Sequence, residues 1–389
     1  MLKTIFADLH IHIGRDMYGH PVKISASPKL TITNILEESS RFKGIDLIGV
    51  VDCHAPNVLE EIEMLIDKER AKEIEGGGIR FEKVTLILGS EIEIYDDDSS
   101  GPFHVLVFLP TLEAMHKFST WLRPRMTNIN LSSQRIYCSA KQLQTKTKQL
   151  GGLFIPAHVF TPFKSLYGRG VNCSLVEVLD PSLIDAIELG LSSDTQMADS
   201  IEELHRFSYV TNSDSHSLKK ISREYQKLRV KEASFKELAC ALKNKKGREI
   251  VENYGMNPYL GKYYETVCQK CFTKVNEEIK RCPTCSSTKI IRGVKKRIEQ
   301  LTTNITFKPK RPPYIYQVPL DYIPGLGPKT LDKLLTHFGT EMNIIHEVSE
   351  EELSEVVSKK VADWIIRLRK GTITFEAGGG GKYGRLIEK

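Results

Sequence analysis

The segment that most restricts how this chain can fold is Asp8-Leu9-His10-Ile11-His12, at the end of the first apolar run. Successive side chains of an extended strand alternate between two faces, so Asp8, His10 and His12 are expected to point the same way. Two imidazoles and a carboxylate at one strand end suit divalent ions such as zinc, manganese or iron. The segment therefore predicts a strand with a chelating face, and a strand whose histidines are merely solvated is the alternative.

The same arrangement recurs as far as His216, because apolar runs are followed by residues of metal-binding types. Seven short runs are predicted strands, mostly separated by helical sequence, which favours βα units and a parallel barrel. Enzymes built on such barrels place their active sites at the carboxyl ends of the strands. The candidate metal ligands at these ends are His10, His12, His54, Glu91, His104, His158, Asp214 and His216, which include six of the eleven histidines.

Such a set of ligands could hold two or three metal ions, an arrangement that favours in-line displacement at phosphorus. Asp214, His216, His158 and Glu91 are the candidates for catalysis. His104 differs from the other ligands because it begins its apolar run instead of ending it. It reaches the same edge only if its strand reverses direction, for example as a hairpin with the strand that carries Glu91.

Together these residues resemble the signature of the polymerase and histidinol phosphatase superfamily, the PHP domain. The matching pieces are Asp8-x-His10-x-His12, Asp52 with His54, Gly89-x-Glu91, His104, Ala157-His158 and Asp214-x-His216. The resemblance spans roughly residues 1 to 230 and implies a distorted seven-stranded βα barrel with a trinuclear metal centre. The superfamily usually has Thr-Asp-His at the second strand. This chain has Val51-Asp52-Cys53-His54 there, so His54 is the predicted ligand and Asp52 remains the alternative.

Length and charge indicate several parts with different roles. At 389 residues, two or three domains are expected. The first apolar run is too short for a signal peptide, and no run of the roughly 18 apolar residues that a membrane span needs follows it. A cytoplasmic, nucleoid-associated protein without a membrane partner is therefore expected. Residues 217–320 carry 24 Lys and Arg against 9 Asp and Glu, in a chain whose total charge is +6. This basic segment indicates a phosphate-rich polymer as partner, and a solvated linker is the alternative.

The segment that follows His158 should overhang the metal site. Lys164 and Arg169 could clamp a phosphate there, and Phe163 or Tyr167 could stack on a base. Lys164, Tyr167 and Arg169 are therefore predicted DNA-binding residues. A surface loop without such a role is the alternative.

Two Cys-x-x-Cys pairs, ten residues apart, form the second chelating pattern: Cys268, Cys271, Cys282 and Cys285. This spacing allows four thiolates to surround one zinc ion tetrahedrally. The role is expected to be structural, because a short segment with little core gains its fold from the metal. Redox chemistry is the alternative. Basic residues around the cysteines favour a nucleic-acid contact.

A third pattern follows a proline-rich linker, where Gly325 and Gly327 stand two residues apart. These glycines permit a tight turn, and the next helix then begins with N–H groups that can hold a phosphate together with Lys329. The segment resembles the helix-hairpin-helix motif of DNA repair proteins, which bind DNA without reading its sequence. An ordinary pair of packed helices is the alternative.

The order of a PHP barrel, a four-cysteine zinc ribbon and an α-helical helix-hairpin-helix domain is similar to the endonuclease Q family. The predicted domains are residues 1–235, 236–312 with the ribbon at 268–285, and 313–389 with a glycine-rich tail. The resemblance implies an endonuclease that cuts DNA 5′ to uracil, hypoxanthine and xanthine and at abasic sites. Zn²⁺ is expected in the ribbon and the catalytic site, where Mg²⁺ or Mn²⁺ is the alternative. A monomer is expected, and a sliding clamp is a candidate partner.

Three other functions remain open from the sequence. A phosphatase of the histidinol-phosphate type would share the barrel but would have no use for a ribbon or a hairpin. A PHP exonuclease would need a free 3′ end. A non-catalytic DNA-binding scaffold would lack metal ligands, whereas this set looks nearly complete.

Overall fold

The computed structural model of the chain describes residues 1–376 and 385–387, apart from Lys262, Glu277, Glu278, Asn304 and Thr306. Residues 377–384, which form most of the predicted glycine-rich tail, lie outside the described residues. The strands are β1 (Lys3–Ile11), β2 (Leu47–Val50), β3 (Lys72–Glu73), β4 (Ile79–Phe81), β5 (Val84–Ile94), β6 (Phe103–Leu109), β7 (Arg135–Ile136), β8 (Leu153–Pro156), β9 (Ile187–Glu188), β10 (Tyr209–Val210), β11 (Tyr225–Val230), β12 (Glu249–Gly255), β13 (Val267–Cys268), β14 (Ile290–Ile291), β15 (Tyr314–Tyr316), β16 (Thr374–Glu376) and β17 (Arg385–Ile387).

Most of the helices begin at a hydroxyl side chain that accepts a hydrogen bond from the first turn. Ser139, for example, forms a reciprocal capping box with Gln142 at the start of a helix. The helices are α1 (Ile32–Glu37), α2 (Pro56–Asp67), α3 (Leu112–Leu122), α4 (Ala140–Gln149), α5 (Thr195–Ala198), α6 (Phe235–Leu242), α7 (Val294–Leu301), α8 (Pro328–Phe338), α9 (Glu341–His346), α10 (Glu350–Val356) and α11 (Lys359–Arg369). Among the described residues, no helix has both the length and the apolar sequence that a bilayer span requires.

The seven runs that the sequence predicts as strands are present as β1, β2, β5, β6, β8, β9 and β10. β1, β2 and β5 are parallel, β6 runs antiparallel to both β5 and β8, and β9 is parallel to β10. In the β5–β6 hairpin Glu93 pairs with His104, so the predicted reversal of the His104 strand is confirmed. The fold is thus a mixed α/β fold in which β4 and β6 both run antiparallel to β5.

Backbone hydrogen bonds continue this series of strands beyond β8. The N–H of Asp185 donates to the carbonyl of Phe154 over 3.0 Å, which joins the approach to β9 to β8. After β10 the N–H of Ser215 donates to the carbonyl of His10 over 3.0 Å. The pairing that begins at β1 therefore returns to β1, and it brings strand ends from distant parts of the chain together.

β1 changes its alternation part-way along, because its pairing with β2 shifts register between Asp8 and Ile11. A shift of this kind turns the side chains that follow it to the other face of the sheet. Leu9 accordingly packs in one apolar core and Ile11 in the other. The side chains of His10 and His12 leave the strand on the side opposite to Ile11.

The sheet extends past β1 through β11, β12 and β15. These three strands come from three different predicted domains, so the sheet crosses both predicted boundaries, 235/236 and 312/313. The boundaries remain predictions about folding units. The structure shows that the four cysteines lie, along the chain, between β12 and β15, which are paired with each other in the same sheet.

The four helices α8 to α11 pack against one another and against the sheet. The ring of His346 stacks on Phe6 at 4.4 Å between centroids, and its Nε2 lies 2.7 Å from the hydroxyl of Tyr225. Burial lowers the pKa of His346 to about 3, so this contact is made by a neutral imidazole. A buried ion pair between Lys43 and Glu341, at 2.7 Å, lies at the same junction. These contacts fix the helices relative to the strands.

Candidate metal centre

Six of the predicted metal ligands come together in two groups at one edge of the sheet. In each group one donor atom per residue lies within 4.8 Å of the others. The groups are His10, His12 and Asp214, and Glu91, His104 and His158. Their members come from β1, β5 and β6 and from the segments that follow β1, β8 and β10, so the strand order of the sheet is what assembles them.

Glu91 lies between the two groups. Its Oε1 is 2.8 Å from His104 Nδ1, and the same oxygen lies 3.5 Å from His10 Nε2. Its Oε2 is 3.6 Å from His12 Nε2. Burial opposes a charge on this carboxyl, but the neighbouring His104 and Lys23 outweigh burial and hold the pKa of Glu91 well below its ordinary value. An ionised carboxylate in this place can bridge two cations.

The donor atoms fit metal ions because several of them have nothing else to bond. The Nε2 atoms of His10, His12 and His104 are buried and have no hydrogen-bond partner among the described residues. A buried polar atom without a partner carries a free-energy cost that is rare in folded proteins. A metal ion between these nitrogens would remove that cost, since neutral imidazole nitrogen is a common ligand of divalent transition ions.

Residues behind the ligands orient them. The Nδ1 of His10 lies 2.9 Å from Glu188, a buried carboxylate that also accepts from the side-chain amide of Asn212 at 2.7 Å and the N–H of His158 at 2.8 Å. Burial opposes a proton on His10, but Glu188 and Asp214 outweigh burial and raise its pKa well above the ordinary value. A carboxylate on the far ring nitrogen fixes the tautomer and leaves Nε2 for the metal.

Asp52 performs the same task for the second histidine. Its Oδ2 lies 3.1 Å from His12 Nδ1 and accepts from the N–H of Ile13 at 2.8 Å. Oδ2 is thus engaged, whereas Oδ1 of Asp52 is buried without a hydrogen-bond partner among the described residues, so a metal-binding role for Asp52 stays the alternative. His54 points Nδ1 at the hydroxyl of Ser90, at 3.1 Å, and its Nε2 is buried without a partner among the described residues. It belongs to neither donor group.

Two of the predicted ligands lie on strained backbone. Asp214 and His158 have φ values of +44° and +30°, in the left-handed region that residues with a Cβ rarely adopt. Such strain persists only where the surroundings enforce it, and it is concentrated at functional sites. His216, two residues after Asp214, is about one-third exposed, and its ring centroid lies 4.8 Å from that of His12. It therefore lies at the solvent side of the first donor group.

A lysine that the sequence did not single out reaches the bridging carboxylate. Lys23 Nζ lies 3.2 Å from Glu91 Oε2 and 2.6 Å from the hydroxyl of Ser133. Ser133 also donates to Glu91, from a backbone with φ of +53°. Lys23 raises the positive charge of the site without being a ligand, because an ammonium group has no lone pair to offer.

The donor groups lie at the floor of a cavity of about 400 Å³. Its lining includes cationic and aromatic side chains. They are Lys23, Lys164, Lys220 and Arg223, and Phe163, Tyr263 and Tyr322. Phe163 and Tyr263 meet edge to face with centroids 5.4 Å apart. A cavity of this size with convergent polar groups is typical of a ligand site.

Comparison with known proteins identifies the family. No protein-family model matches the chain. It is 51% identical to the uncharacterized protein YqxK of Bacillus subtilis (strain 168) over 385 residues, 99% of this chain and 100% of the relative. It is 31% identical to the novel lesion-specific endonuclease PfuEndoQ from Pyrococcus furiosus, whose crystal structure matches with a TM-score of 0.84 over 99% of this chain and 95% of that chain. The chain belongs to the endonuclease Q family.

A second structure of the family holds a nucleic acid. This endonuclease Q, in complex with a 27-mer duplex substrate with an abasic lesion at the active site, matches with a TM-score of 0.84 and 31% identity, over 99% of this chain and 96% of that chain. As a member of the endonuclease Q family, the chain is a metal-dependent DNA endonuclease.

In the present chain, the four cysteines form a separate chelating cluster. All four sulfur atoms lie within 4.8 Å of one another, beside the short antiparallel pair β13–β14. The N–H of Cys271 lowers the pKa of Cys268, and the hydroxyl of Thr273 lowers the pKa of Cys271. The neighbouring thiols instead raise the pKa of Cys285 to about 12. Four sulfur atoms that converge in this way fit a zinc ion.

The hairpin glycines have the backbone that the motif predicts. Gly325 has a φ of +84°, which only glycine adopts without strain. Gly327 precedes α8 in an open place, since a Cβ there would meet no atom within 4 Å. Lys329 lies exposed in the first turn of α8. The three predicted DNA contacts of this segment therefore lie on an accessible surface.

The first strand and the loop after His158 require two corrections. Asp8 does not share the face of His10 and His12, because the register shift in β1 separates them. Its carboxylate accepts instead from the N–H groups of Ser213 at 3.0 Å and Ser222 at 2.8 Å, so it holds the segment that carries Asp214. Asp8 is a support of the site, not a ligand.

Tyr167 was predicted to stack on a DNA base, and this prediction is wrong. Its side chain is fully buried, its ring stacks on Phe160 at 5.4 Å, and its hydroxyl donates to Glu203 at 2.8 Å. Lys164 lines the cavity and pairs with Glu93 at 2.8 Å. Arg169 lies beside a neighbouring cavity next to α7, outside the lining of the metal pocket.

Proposed function

We propose that the chain hydrolyses the phosphodiester bond 5′ to deaminated bases, namely uracil, hypoxanthine and xanthine, and at abasic sites, by multi-metal catalysis in a seven-stranded PHP barrel. The observation that carries the proposal is the pair of donor groups, joined by Glu91, at a cavity that is lined by cationic and aromatic side chains. Similarity over the full length to a lesion-specific endonuclease, and to an endonuclease Q bound to a duplex with an abasic lesion, supports the substrate class.

The proposed ligands of the pocket ions are His10, His12, His54, Glu91, His104, His158, Asp214 and His216. We assign Zn²⁺ to this site, with Mg²⁺ or Mn²⁺ as the alternative, and a structural Zn²⁺ to the four cysteines. Ions bound in the pocket would lower the pKa of a water molecule and offset the charge that develops at phosphorus. Buried nitrogens without partners at His10, His12, His54 and His104 support this assignment.

The protein's own groups hold the site in the charge state that such chemistry needs. Burial opposes a charge on Asp214, but His10 and His12 outweigh burial and keep its pKa well below the ordinary value. Burial and the nearby His12 lower the pKa of His216 to about 4. His216 is therefore neutral near pH 7, which suits it to bind a metal ion through a ring nitrogen rather than to act as an acid.

The cavity walls suit an extruded nucleotide. Lys164, Lys220 and Arg223 could hold phosphates on either side of the bond that is cut. Phe163 and Tyr322 could stack on a base that has left the helix. A mispaired or missing base is easier to extrude than a paired one, so the cost of extrusion would favour lesions.

The test uses a covalently closed circular duplex with one deoxyuridine, beside an undamaged circle, in the presence of Mg²⁺ or Mn²⁺. We expect a nick in the damaged circle alone, mapped to the 5′ side of the uracil on a denaturing gel. The variant Asp214→Asn is the negative control for a contaminating nuclease.

Two intact circles would reject the proposal and favour the other readings of the sequence. Degradation of linear duplexes from a 3′ end would then indicate an exonuclease. Release of phosphate from a small phosphomonoester would indicate a phosphatase. Nicking of both circles at equal rates would retain the endonuclease and remove the lesion specificity.

A further inference from the structure

The helix that follows the four-cysteine cluster clamps the loop above the metal pocket. The guanidinium group of Arg297 in α7 donates to the backbone carbonyls of Tyr167 at 2.7 Å, Val171 at 3.0 Å and Asn172 at 2.7 Å. These acceptors belong to residues 159–172, which we call the overhang loop. Three carbonyls held by one planar guanidinium fix the loop more firmly than a single contact could.

The other side of the overhang loop contacts two of the proposed metal ligands. The carbonyl of Lys164 accepts from the N–H of His104 at 2.9 Å. The hydroxyl of Thr161 lies 3.3 Å from the Nδ1 of His158. The ammonium of Lys164 pairs with Glu93 at 2.8 Å, and Glu93 in turn lies 3.6 Å from the Nε2 of His104. A displacement of this loop would therefore be felt at His104 and His158 together.

α7 is itself fixed to the cysteine cluster. In β13–β14 Cys268 pairs with Ile290, and α7 begins three residues after β14 ends. The N–H of Gly293 donates to the hydroxyl of Thr266 at 3.0 Å. A Cβ at Gly293 would lie 2.4 Å from the backbone of Glu265, so the two chain segments touch without room for a side chain. The contacts thus run without a gap from the cysteines to the metal pocket.

We propose that Arg297 is a positioning residue through which the four-cysteine ribbon sets the placement of His104 and His158. The proposal rests on the proposed multi-metal function of the pocket. It gives the ribbon a second task besides DNA contact, because the guanidinium of Arg297 is directed at backbone carbonyls of the overhang loop. The ribbon then supports the second donor group, and the first group, on β1 and after β10, is independent of it.

The experiment compares Arg297→Ala and Arg297→Lys with Glu299→Ala, a control on the exposed side of the same helix. Three quantities are measured on the full chain. They are kcat and KM for a duplex with one deoxyuridine, the Kd for that duplex in an Asp214→Asn background, and the affinity of the pocket for Mn²⁺ in a chelator titration.

For Arg297→Ala we expect kcat and the Mn²⁺ affinity of one pocket site to fall by about 10- to 100-fold, as is usual for residues behind metal ligands. KM and Kd should stay within about twofold, because Arg297 does not contact the duplex in this proposal. Arg297→Lys should recover part of both losses, since an ammonium can reach some of the carbonyls. Glu299→Ala should match the wild type.

Two results would overturn the proposal. A rise in KM and Kd with a salt slope reduced by about one, at unchanged kcat, would make Arg297 a phosphate contact. Unchanged kcat and Mn²⁺ affinity in both variants would show that the clamp does not act on the ligands. If Arg297→Ala fails to fold, Arg297→Lys alone decides by the same readouts. If the wild type cuts no DNA, the proposed function fails, and the Mn²⁺ titration still tests the clamp.

Discussion

The two chelating clusters of this molecule are built in opposite ways. The pocket collects donors from His10 to Asp214, and its histidines are held from behind by Glu188 and Asp52. The four thiols come from residues 268–285 and lie beside two strands of two residues each. Protein contacts therefore hold the pocket in shape, whereas the ribbon has little besides its own cysteines to hold it. A metal should be needed for chemistry in the first and for folding in the second.

The largest effect is expected where the pocket loses a charge without losing its shape. Asp214→Asn keeps the volume but removes a carboxylate from the first donor group. Cleavage of the deoxyuridine duplex should fall by at least about 10³-fold, because several kcal/mol of charge stabilisation is lost. Affinity for the duplex should change by no more than a few fold. Single-turnover cleavage and fluorescence anisotropy measure the two quantities, with the exposed Glu113→Gln as control. Full activity in Asp214→Asn would remove this residue from the centre.

The ribbon should respond to the loss of one ligand by unfolding locally. In Cys271→Ser the segment from 263 to 303 should lose protection from hydrogen exchange, because zinc binding supplies most of its folding free energy, about 10 kcal/mol or more. The strands β1, β2 and β5 should keep their protection, since their core does not depend on the ribbon. Cys173→Ser, an exposed and isolated cysteine, is the matched control. Loss of protection throughout the sheet would show that the two regions fold as one unit.

The buried carboxyl of Glu224, next to β11, should make the free energy of unfolding depend on pH. Burial raises the pKa of Glu224 to about 8, even though the N–H of Met256 donates to it at 2.8 Å. Between about pH 4.5 and 8 the unfolded chain releases this proton while the folded chain retains it. Stability should therefore fall as pH rises through that window and then level off.

Glu224→Gln should remove this pH dependence. At pH 5 the variant should match the wild type, and at pH 8 it should be more stable by up to about 4 kcal/mol. Urea denaturation at a series of pH values measures the difference. An equal difference at both pH values would mean that the carboxyl titrates at its ordinary pKa.

The sequence predicts the four-cysteine ribbon more completely than the metal pocket, because the ribbon is local in the chain and the pocket is not. The ribbon depends on spacing within one short segment, so its four cysteines were found completely. The hairpin residues Gly325 and Gly327 are predicted from a similarly short segment, and their contact with DNA stays a prediction. The predicted pocket ligands other than His104 follow apolar runs, and six of the eight lie in two groups. Local patterns are visible in a sequence even when their partners are distant.

Contacts between distant segments left no comparable signal. Glu188 lies in β9, which the sequence predicts only as an apolar strand. The one sequence signal of its role is that an acid stands within an apolar run. Lys23 lies in a loop whose path the sequence does not determine. The register shift in β1 depends on the neighbouring β2, so strict alternation assigned Asp8 to the wrong face. The hydroxyl of Tyr167 donates to Glu203, which lies 36 residues away in the chain.

Glu188 tests the claim that the protein, not the metal, orients the pocket ligands. Glu188→Gln retains a hydrogen-bond acceptor but removes the charge beside His10 Nδ1. The affinity of the pocket for Mn²⁺ should fall by about 10- to 100-fold, with the zinc content of the ribbon unchanged. Metal analysis after dialysis against graded chelator separates the two sites. Glu202→Gln, exposed on a nearby turn, should behave as the wild type. Equal loss of metal from both clusters would argue against a local effect.

The smallest effect is expected for Tyr167, which the sequence predicts to contact DNA and which lies in the interior of the structure. Tyr167→Phe keeps the ring on Phe160 and removes only the hydroxyl that donates to Glu203. Glu203 still accepts from Ser174 at 2.6 Å, so the cost should be about 1 kcal/mol of unfolding free energy. Cleavage and DNA affinity should not change, because no part of this side chain reaches the cavity. A loss of DNA affinity with unchanged stability would instead require the overhang loop to open and expose Tyr167 when DNA binds.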